Sequence, residues 1–169
     1  DAPNAGVLPP AERPGLNFEP IGVIRSPFRQ KFGIPRQPGL VPEARARLDL
    51  HPPYDQPSAV RGLEGYSHIW LLFLFHAAGS AAGWRPTVRP PRLGGRRRMG
   101  IFATRSIHRP NPIGMSAVRL EAVVCRKGSC WLEVSGIDLL DGTPVLDIKP
   151  YLPWADALAG ARAAMAPDR

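Results

Sequence analysis

The chain has 169 residues, of which 44% are hydrophobic, and this size and composition predict one domain with a buried core. Lys and Arg outnumber Asp and Glu by 22 to 14, and the resulting net charge of +8 favours a polyanionic partner such as nucleic acid. The longest apolar run is far shorter than the roughly 20 residues of a membrane-spanning helix, and no secretory leader is evident. We therefore expect a soluble, cytoplasmic protein with no membrane partner.

Two cysteines, Cys125 and Cys130, are too few for a disulfide scaffold or a four-cysteine zinc site. They flank the turn-forming stretch RKGS, which predicts that they face each other across a hairpin. We interpret them as reduced packing residues in a reducing compartment, with a redox pair as the alternative.

Strand signals dominate the chain after its proline-rich beginning. Residues 1–17 lack apolar periodicity, so we expect them to form a flexible arm. Turn-forming residues then separate segments rich in β-branched and aromatic residues, which predicts strands over residues 20–26, 68–76, 99–106, 115–125 and 130–140. A last strand, VLDIKPYL, follows a hairpin turn predicted at DGT.

Helix signals are few. Residues 41–48 predict a short helix or an irregular segment, and the alanine-rich residues 155–165 predict a terminal helix. Short strands without long intervening helices favour a mainly β fold, a small closed or nearly closed β-barrel with short peripheral helices, over a doubly wound α/β sheet. The strand at 68–76 is apolar almost throughout, so we expect a partner chain or a loop to cover its outer face, and hence a homodimer.

The stretch SIHRPNPIGMS carries the strongest signal of a site. Each proline fixes its own φ and drives the preceding residue toward an extended conformation, which holds Arg109 and Asn111 between rigid joints. Arg105, just before it, adds a guanidinium able to bind a carboxylate or phosphate through two hydrogen bonds. These residues predict a preformed site for a polar, partly anionic ligand, with a structural barrel-corner turn as the alternative.

Two further segments have the features of a binding site. KFGIPRQPGLVP presents Arg36 and Gln37 between prolines, so it would lose little entropy on binding. GIDLLDGTP contains Asp138 and Asp141, whose carboxylates could hold a ribose diol or an ammonium group, or accept a proton. A turn-capping role for Asp141 is the alternative.

Residues 77–98 form a basic, proline-punctuated insertion. We interpret it as a surface loop that contacts the phosphates of a nucleic acid, with a solvated loop as the alternative. The arginines concerned are Arg85, Arg89, Arg92, Arg96, Arg97 and Arg98. His76 ends an apolar strand beside this loop and is interpreted as a ligand-contacting or hydrogen-bonded residue.

Several common kinds of site are missing from the sequence. None of the four histidines has metal-ligand spacing with cysteines or carboxylates, so we expect no metal. The Rossmann, P-loop and nucleophile-elbow motifs do not occur either. A nucleotide-like cofactor would therefore have to bind by another route.

Four blocks in order, IGVIRSPFRQKFGIPRQPGLV, LEGYSHIWLLFLFH, GIFATRSIHRPNPIGMS and GIDLLDGTPVLDIKPYLPW, resemble the TsaA-like family of β-barrel methyltransferases, the bacterial TrmO proteins. The resemblance covers residues 18–156 and implies a homodimeric barrel that binds S-adenosylmethionine. It also implies methyl transfer to N6 of threonylcarbamoyladenosine beside the tRNA anticodon. Relatives often carry a further C-terminal domain, which we expect to be absent here, leaving residues 157–169 as a tail.

The resemblance also implies which residues form the site. The family's cofactor contacts would fall on Pro35, Arg36, Gln37, Phe75, His76, Arg105, Met115, Asp138, Leu139, Leu140 and Asp141. His108 departs from the hydrophobic residue expected at its position.

Methyl transfer is an in-line displacement, so catalysis rests on alignment of the reacting atoms. We expect Arg105, Arg109 and Asn111 to orient the threonyl carboxylate and the carbamoyl oxygen of the substrate. The accepting ureido nitrogen must also lose a proton, and Tyr66 and His68 are the reserve candidates for handling it. The alternative is a non-catalytic basic barrel, an RNA- or nucleotide-binding adaptor, which predicts phosphate contacts but no tight S-adenosylmethionine site.

Overall fold

In a computed structural model, which describes residue 15 and residues 17–77, 85–90 and 97–163, most strands belong to one closed barrel. The barrel strands are β1 (Gly22–Arg25), β2 (Arg45–Leu50), β3 (His68–Leu74), β6 (Ile113–Arg126), β7 (Ser129–Ser135) and β8 (Pro144–Pro150). A separate two-stranded ribbon consists of β4 (Thr87–Val88) and β5 (Met99–Gly100). The described helices are short: α1 (Pro57–Val60), α2 (Pro153–Asp156) and the 3₁₀ turns Leu63–Gly65 and Ile101–Ala103. Among the described residues, no helix has the length and apolarity needed to cross a membrane.

The barrel closes in the order β1-β2-β7-β6-β3-β8, and every neighbouring pair is antiparallel. The registers Arg25↔Arg47, Arg45↔Ser135 and Leu74↔Ile113 show which strand ends lie together. The C-terminal ends of β1, β3 and β7 and the N-terminal ends of β2, β6 and β8 therefore share one rim, the pocket end. The fold prediction of a mainly β protein with a small closed barrel is confirmed.

Alternation of side chains along the strands builds the core. On β3, Ile69, Leu71 and Phe73 are buried while the residues between them are half-buried. Each strand of the barrel contributes at least one almost fully buried side chain, namely Ile24, Leu48, Leu71, Val118, Leu132 and Val145. The interior is therefore packed with side chains and not an open pore, as in other small barrels.

Three sequence predictions about elements are wrong. Residues 45–48 of the segment predicted as a short helix or irregular belong to strand β2, in which Leu48 and Leu50 are buried and pair with β7 and β1. The predicted strand at 99–106 is the two-residue strand β5 followed by a 3₁₀ turn. In place of a terminal helix over 155–165, the described residues form only α2 and then an irregular segment through residue 163.

The prediction of reduced cysteines is also wrong. Cys125 and Cys130 form a disulfide with their Cα atoms 4.1 Å apart. They are direct partners across the β6–β7 hairpin, whose turn residues Lys127 and Gly128 both have positive φ. The predicted hairpin is therefore correct, and its two-residue turn places the sulfur atoms within bonding reach.

Asp156 attaches helix α2 to the barrel. Its Oδ2 atom accepts hydrogen bonds from the backbone N–H of Leu152 and from Nε1 of Trp70 on β3, both at 2.9 Å. The bond from Leu152, followed by that from Trp70, lowers the pKa of Asp156 from its ordinary value of 3.8. The stabilisation from ionised Asp156 is therefore complete above pH 3.8 and is lost as the pH falls through the lowered pKa.

We expect Asp156→Ala to lower the Tm at neutral pH, because two donors lose their acceptor. At the most acid pH at which the barrel remains folded, the Tm of the variant should approach that of the wild type, since Asp156 is then protonated in both states. Thermal denaturation followed by circular dichroism measures both values, with exposed Glu64→Ala as the control. An equal loss of Tm at both pH values would contradict the assignment.

Candidate functional site

Four loops meet at the pocket end of the barrel. They connect β1 to β2, follow β3, precede β6 and link β7 to β8. Together they enclose a cavity of about 440 Å³, within the range typical of small-molecule sites. The segments SIHRPNPIGMS, KFGIPRQPGLVP and GIDLLDGTP each contribute to its lining, so the structure brings together the three site segments that the sequence singled out.

Asp138 is the acidic residue of the pocket. It lies in the loop after β7, and its Oδ1 accepts a hydrogen bond of 2.7 Å from Oγ of Ser116, which is buried at the start of β6. Burial raises the pKa of Asp138 above its ordinary value, and the hydrogen bond from Ser116 and the nearby Arg105 oppose this rise only in part. A carboxylate held in this way favours a cationic or hydrogen-bond-donating ligand group.

The apolar wall of the pocket comes from Phe73 and Phe75. Their rings pack edge to face with centroids 5.3 Å apart, and both lie against Gly114 on the neighbouring strand β6. Gly114 is the register partner of Phe73, and its missing side chain leaves the space that the rings fill. Predicted residues Met115, Leu139 and Leu140 also line the pocket.

Arg105 bridges two loops over the pocket. Its Nη1 donates a hydrogen bond of 2.8 Å to Oε1 of Gln37, and both residues contribute to the lining together with Pro35, Arg36 and His76. The guanidinium is exposed, so its remaining donors face solvent at the mouth of the pocket. It is placed to bind an anionic group of a ligand.

Arg109 supports the loop that carries it. Its Nη1 donates to the backbone carbonyl of Thr104 at 2.7 Å, with longer contacts to those of Ile101 and Ser106 at 3.4 and 3.5 Å. Arg109 also lines the pocket, and its hydrogen bonds stabilise the turn at residues 101–106. Asn111 is exposed and lies outside the lining, and its backbone carbonyl accepts from Ile113.

Asp141 has a bracing contact. Its Oδ1 accepts a hydrogen bond of 3.0 Å from the backbone N–H of Ser26, whose Oγ in turn donates to the carbonyl of Leu139 at 2.8 Å. Asp141 does not line the pocket. This contact ties the residue after β1 to the loop that holds Asp138, so the side chain braces two loops and does not cap its own turn at DGT.

Tyr66 and His68 are not brought to the pocket. They lie at the N-terminal end of β3, whereas the pocket contacts β3 at its C-terminal end from Phe73 onward. His68 accepts or donates a hydrogen bond with Ser67 and packs edge to face against Tyr151. The length of the strand, about 3.3 Å per residue, separates them from the pocket by most of the barrel height.

The described part of the basic insertion includes β4, which pairs with β5 in the ribbon. Thr87 pairs with Gly100 and Val88 with Met99, and the backbone N–H of Ile101 donates to the carbonyl of Pro86 at 2.9 Å. The ribbon therefore joins the insertion to the turn that precedes the pocket residues Thr104 and Arg105. Arg85, Arg89, Arg97 and Arg98 are all exposed around it, while Arg92 and Arg96 fall outside the described residues.

Sequence reasoning missed Ser116, Thr104 and Gly114 as site residues. A serine inside an apolar strand and a glycine at its start are common in structural roles, so neither carried a signal by itself. Their importance comes from tertiary contacts, because the register of β3 and β6 sets Gly114 against Phe73, and the loop after β7 brings Asp138 within hydrogen-bonding distance of Ser116. Within the described ranges, no group of histidine, cysteine or acidic residues could hold a metal ion.

Residues 23–157 match the family model of the tRNA-methyltransferase O N-terminal domain. The chain belongs to this family. A relative from Escherichia coli strain K12, named tRNA (adenine(37)-N6)-methyltransferase, is 62% identical over 151 residues, which are 89% of this chain and 64% of the relative. A mouse protein of the same name is 45% identical over 153 residues, 89% of this chain and 34% of that protein.

Solved structures of the family have the same fold. A crystal structure of TrmO is 54% identical with a TM-score of 0.74, covering 91% of this chain and 65% of that one. TrmO from Pseudomonas aeruginosa is 53% identical with a TM-score of 0.71, covering 90% and 63%. The chain thus spans less than two thirds of the length of these relatives.

Proposed function

We propose that the chain binds S-adenosylmethionine in the pocket at the barrel end and transfers its methyl group to N6 of threonylcarbamoyladenosine beside the tRNA anticodon. The observation that carries the proposal is the partly buried carboxylate of Asp138 in a partly apolar pocket, in a member of the tRNA-methyltransferase O family. A Pseudomonas aeruginosa relative, 63% identical over 146 residues, is named provisionally as an S-adenosylmethionine-dependent methyltransferase. A non-catalytic adaptor is not favoured, because similar proteins bear the names of methyltransferases.

The pocket residues suit the chemical groups of this cofactor. Asp138 offers a negative charge to its ammonium group, and Arg105 offers a guanidinium to its carboxylate. Phe75 and Leu139 provide apolar surface for the adenine ring. When bound, the cofactor supplies an electrophilic methyl group, and the residues act by holding it in line with the acceptor.

The basic rim suits the RNA. Arg85, Arg89, Arg97 and Arg98 are exposed beside the turn that leads into the pocket, where they can neutralise phosphates of the anticodon arm. Arg109 lines the pocket and positions the loop that would receive the threonylcarbamoyl group, and Asn111, exposed two residues further along that loop, would offer it a carboxamide. Tyr66 and His68 have no part in this arrangement, because they lie at the other end of the barrel.

The proposal is tested with two measurements on the wild-type chain. Isothermal titration calorimetry with S-adenosylmethionine should show binding at one site per chain. Incubation with the cofactor and an anticodon stem-loop RNA should add one methyl group when the RNA carries threonylcarbamoyladenosine, and none when it carries plain adenosine at that position. RNA binding without cofactor binding would support the adaptor instead.

We also propose that the protein acts as a homodimer and, because its proposed substrate is tRNA, that it acts in the cytoplasm. An apolar strip along β3 and β6 exposes Met115 by 53% and Ile113 by 40%, next to the half-buried Leu72 and Leu74, and all of these except Leu72 also line the pocket. Two copies could bury this apolar surface against each other. Sedimentation of the same preparations gives the oligomeric state, and a monomer at all concentrations would contradict the dimer.

A further inference from the structure

Phe102 is an exposed aromatic ring at the rim of the pocket. It occupies the centre of the 3₁₀ turn Ile101–Ala103, and 75% of its surface is exposed. The turn ends two residues before Arg105, at the mouth of the pocket. Ile101 beside it is buried, so the turn anchors one apolar side chain and presents the other to solvent.

The turn that carries Phe102 is held rigid. The Oγ1 atom of Thr104 donates to the carbonyl of Ile101 at 2.8 Å, and the backbone N–H of Thr104 donates to the same oxygen at 3.2 Å. The guanidinium of Arg109 contacts the carbonyls of the turn and lies 5.9 Å from the centre of the Phe102 ring. The turn that presents the ring is therefore formed before any partner binds, which lowers the entropic cost of stacking on it.

The surroundings of Phe102 are those of a surface that binds unpaired nucleotides. Exposed arginines 97 and 98 precede the turn, and Arg105 follows it. A second exposed ring, Phe32, has 93% of its surface accessible and is adjacent to Lys31, which lines the pocket. Aromatic rings among cationic side chains are the arrangement on which unstacked bases bind.

We propose that Phe102 is a stacking platform for an RNA base next to the nucleotide that enters the pocket. This inference rests on the function proposed above and extends it to a residue outside the pocket. A base that must present its N6 group to the pocket leaves its own stack, which exposes the faces of its neighbours. The ring of Phe102 lies beside the mouth of the pocket, in contact with the guanidinium of Arg109, and stacks on one of those exposed base faces.

The test compares three variants, Phe102→Ala, Phe102→Leu and Phe102→Tyr, for binding to an anticodon stem-loop RNA that carries threonylcarbamoyladenosine. The Ala and Leu variants should bind about 5- to 100-fold more weakly, because neither side chain has a π-face, and Tyr should restore binding. The slope of log affinity against log salt should stay at the wild-type value, since stacking releases no counterions. Calorimetry should show unchanged affinity for S-adenosylmethionine in all three.

Trp154→Ala is the matched control, because this aromatic residue is 83% exposed but follows β8 at the opposite end of the barrel. Its affinity for the RNA should equal that of the wild type. Wild-type affinity in Phe102→Leu would overturn the stacking role, as would a change of sedimentation in that variant, which would assign Phe102 to contact between two copies. If the wild type itself neither bound nor methylated the RNA, the proposed function would fail with it.

Discussion

Replacing Asp138 with Asn should weaken the binding of S-adenosylmethionine by about 10- to 100-fold, the usual contribution of one charge-assisted hydrogen bond. The change is nearly isosteric, and the carboxamide oxygen can still accept the hydrogen bond from Ser116. What it removes is the negative charge that would face the ammonium group of the cofactor. Isothermal titration calorimetry at neutral pH measures the loss directly.

The same substitution should make the barrel more stable at neutral pH. Because burial raises the pKa of Asp138, the folded protein binds more protons than the unfolded chain between 3.8 and the raised pKa. The contribution of Asp138 to stability therefore falls as the pH rises through that window, and above it the partly buried charge still destabilises the folded state. Asn has no such cost, so its Tm should exceed that of the wild type at neutral pH and the difference should vanish below pH 3.8.

Cofactor affinity should show the opposite dependence on pH. As the pH falls through the raised pKa, Asp138 takes up a proton and wild-type binding should weaken toward that of the Asn variant, whose affinity should stay flat. Asp147→Asn is the matched control, because this carboxylate pairs with Lys149 on the barrel wall outside the pocket. Undiminished affinity in Asp138→Asn would show that the carboxylate does not contact the cofactor.

The sequence predicted the pocket segments better than the roles of their side chains. Prolines fix loop geometry locally, so Arg36, Gln37 and Arg105 could be placed at a site before the fold was known, and the structure places all three in the pocket lining. The hydrogen bonds of Arg109 and Asp141 could not be predicted, because they depend on which backbone carbonyl or N–H lies within reach after folding.

Pairing between strands that are distant in sequence explains why some elements were predicted wrongly. The stretch EARARL is composed of good helix formers, yet Leu48 pairs with Leu132 of β7 and its arginines point outward. Tyr66 and His68 show a second limit, since a motif block gives no indication of which end of its strand faces the pocket. Which end of β3 faces the pocket is determined when the barrel closes, and closure requires strands that are far apart in the sequence.

Gly114→Ala should damage the pocket more than any polar substitution at its mouth. A Cβ at this position would overlap the ring of Phe73 and lie 2.8 Å from the ring of Phe75, closer than carbon atoms approach without strain. Because Phe73 is buried, the two rings can move away from the new methyl group mainly into the cavity that they line, which would reduce the volume of the pocket. We expect a loss of about 1–3 kcal/mol in the free energy of unfolding. Affinity for S-adenosylmethionine should fall by about 100-fold, equivalent to roughly 3 kcal/mol.

Denaturant unfolding and calorimetry measure the two effects, and Gly100→Ala is the matched control. Gly100 has a φ of −58° and open space where its Cβ would stand, so alanine there should leave stability and cofactor affinity nearly unchanged. Adding Phe73→Leu to Gly114→Ala should recover part of the lost stability, because the smaller side chain frees the volume that the new methyl group needs. If Gly114→Ala bound S-adenosylmethionine as tightly as the wild type, the cofactor could not lie against the Phe73 and Phe75 wall, and the site would have to be sought elsewhere on the barrel.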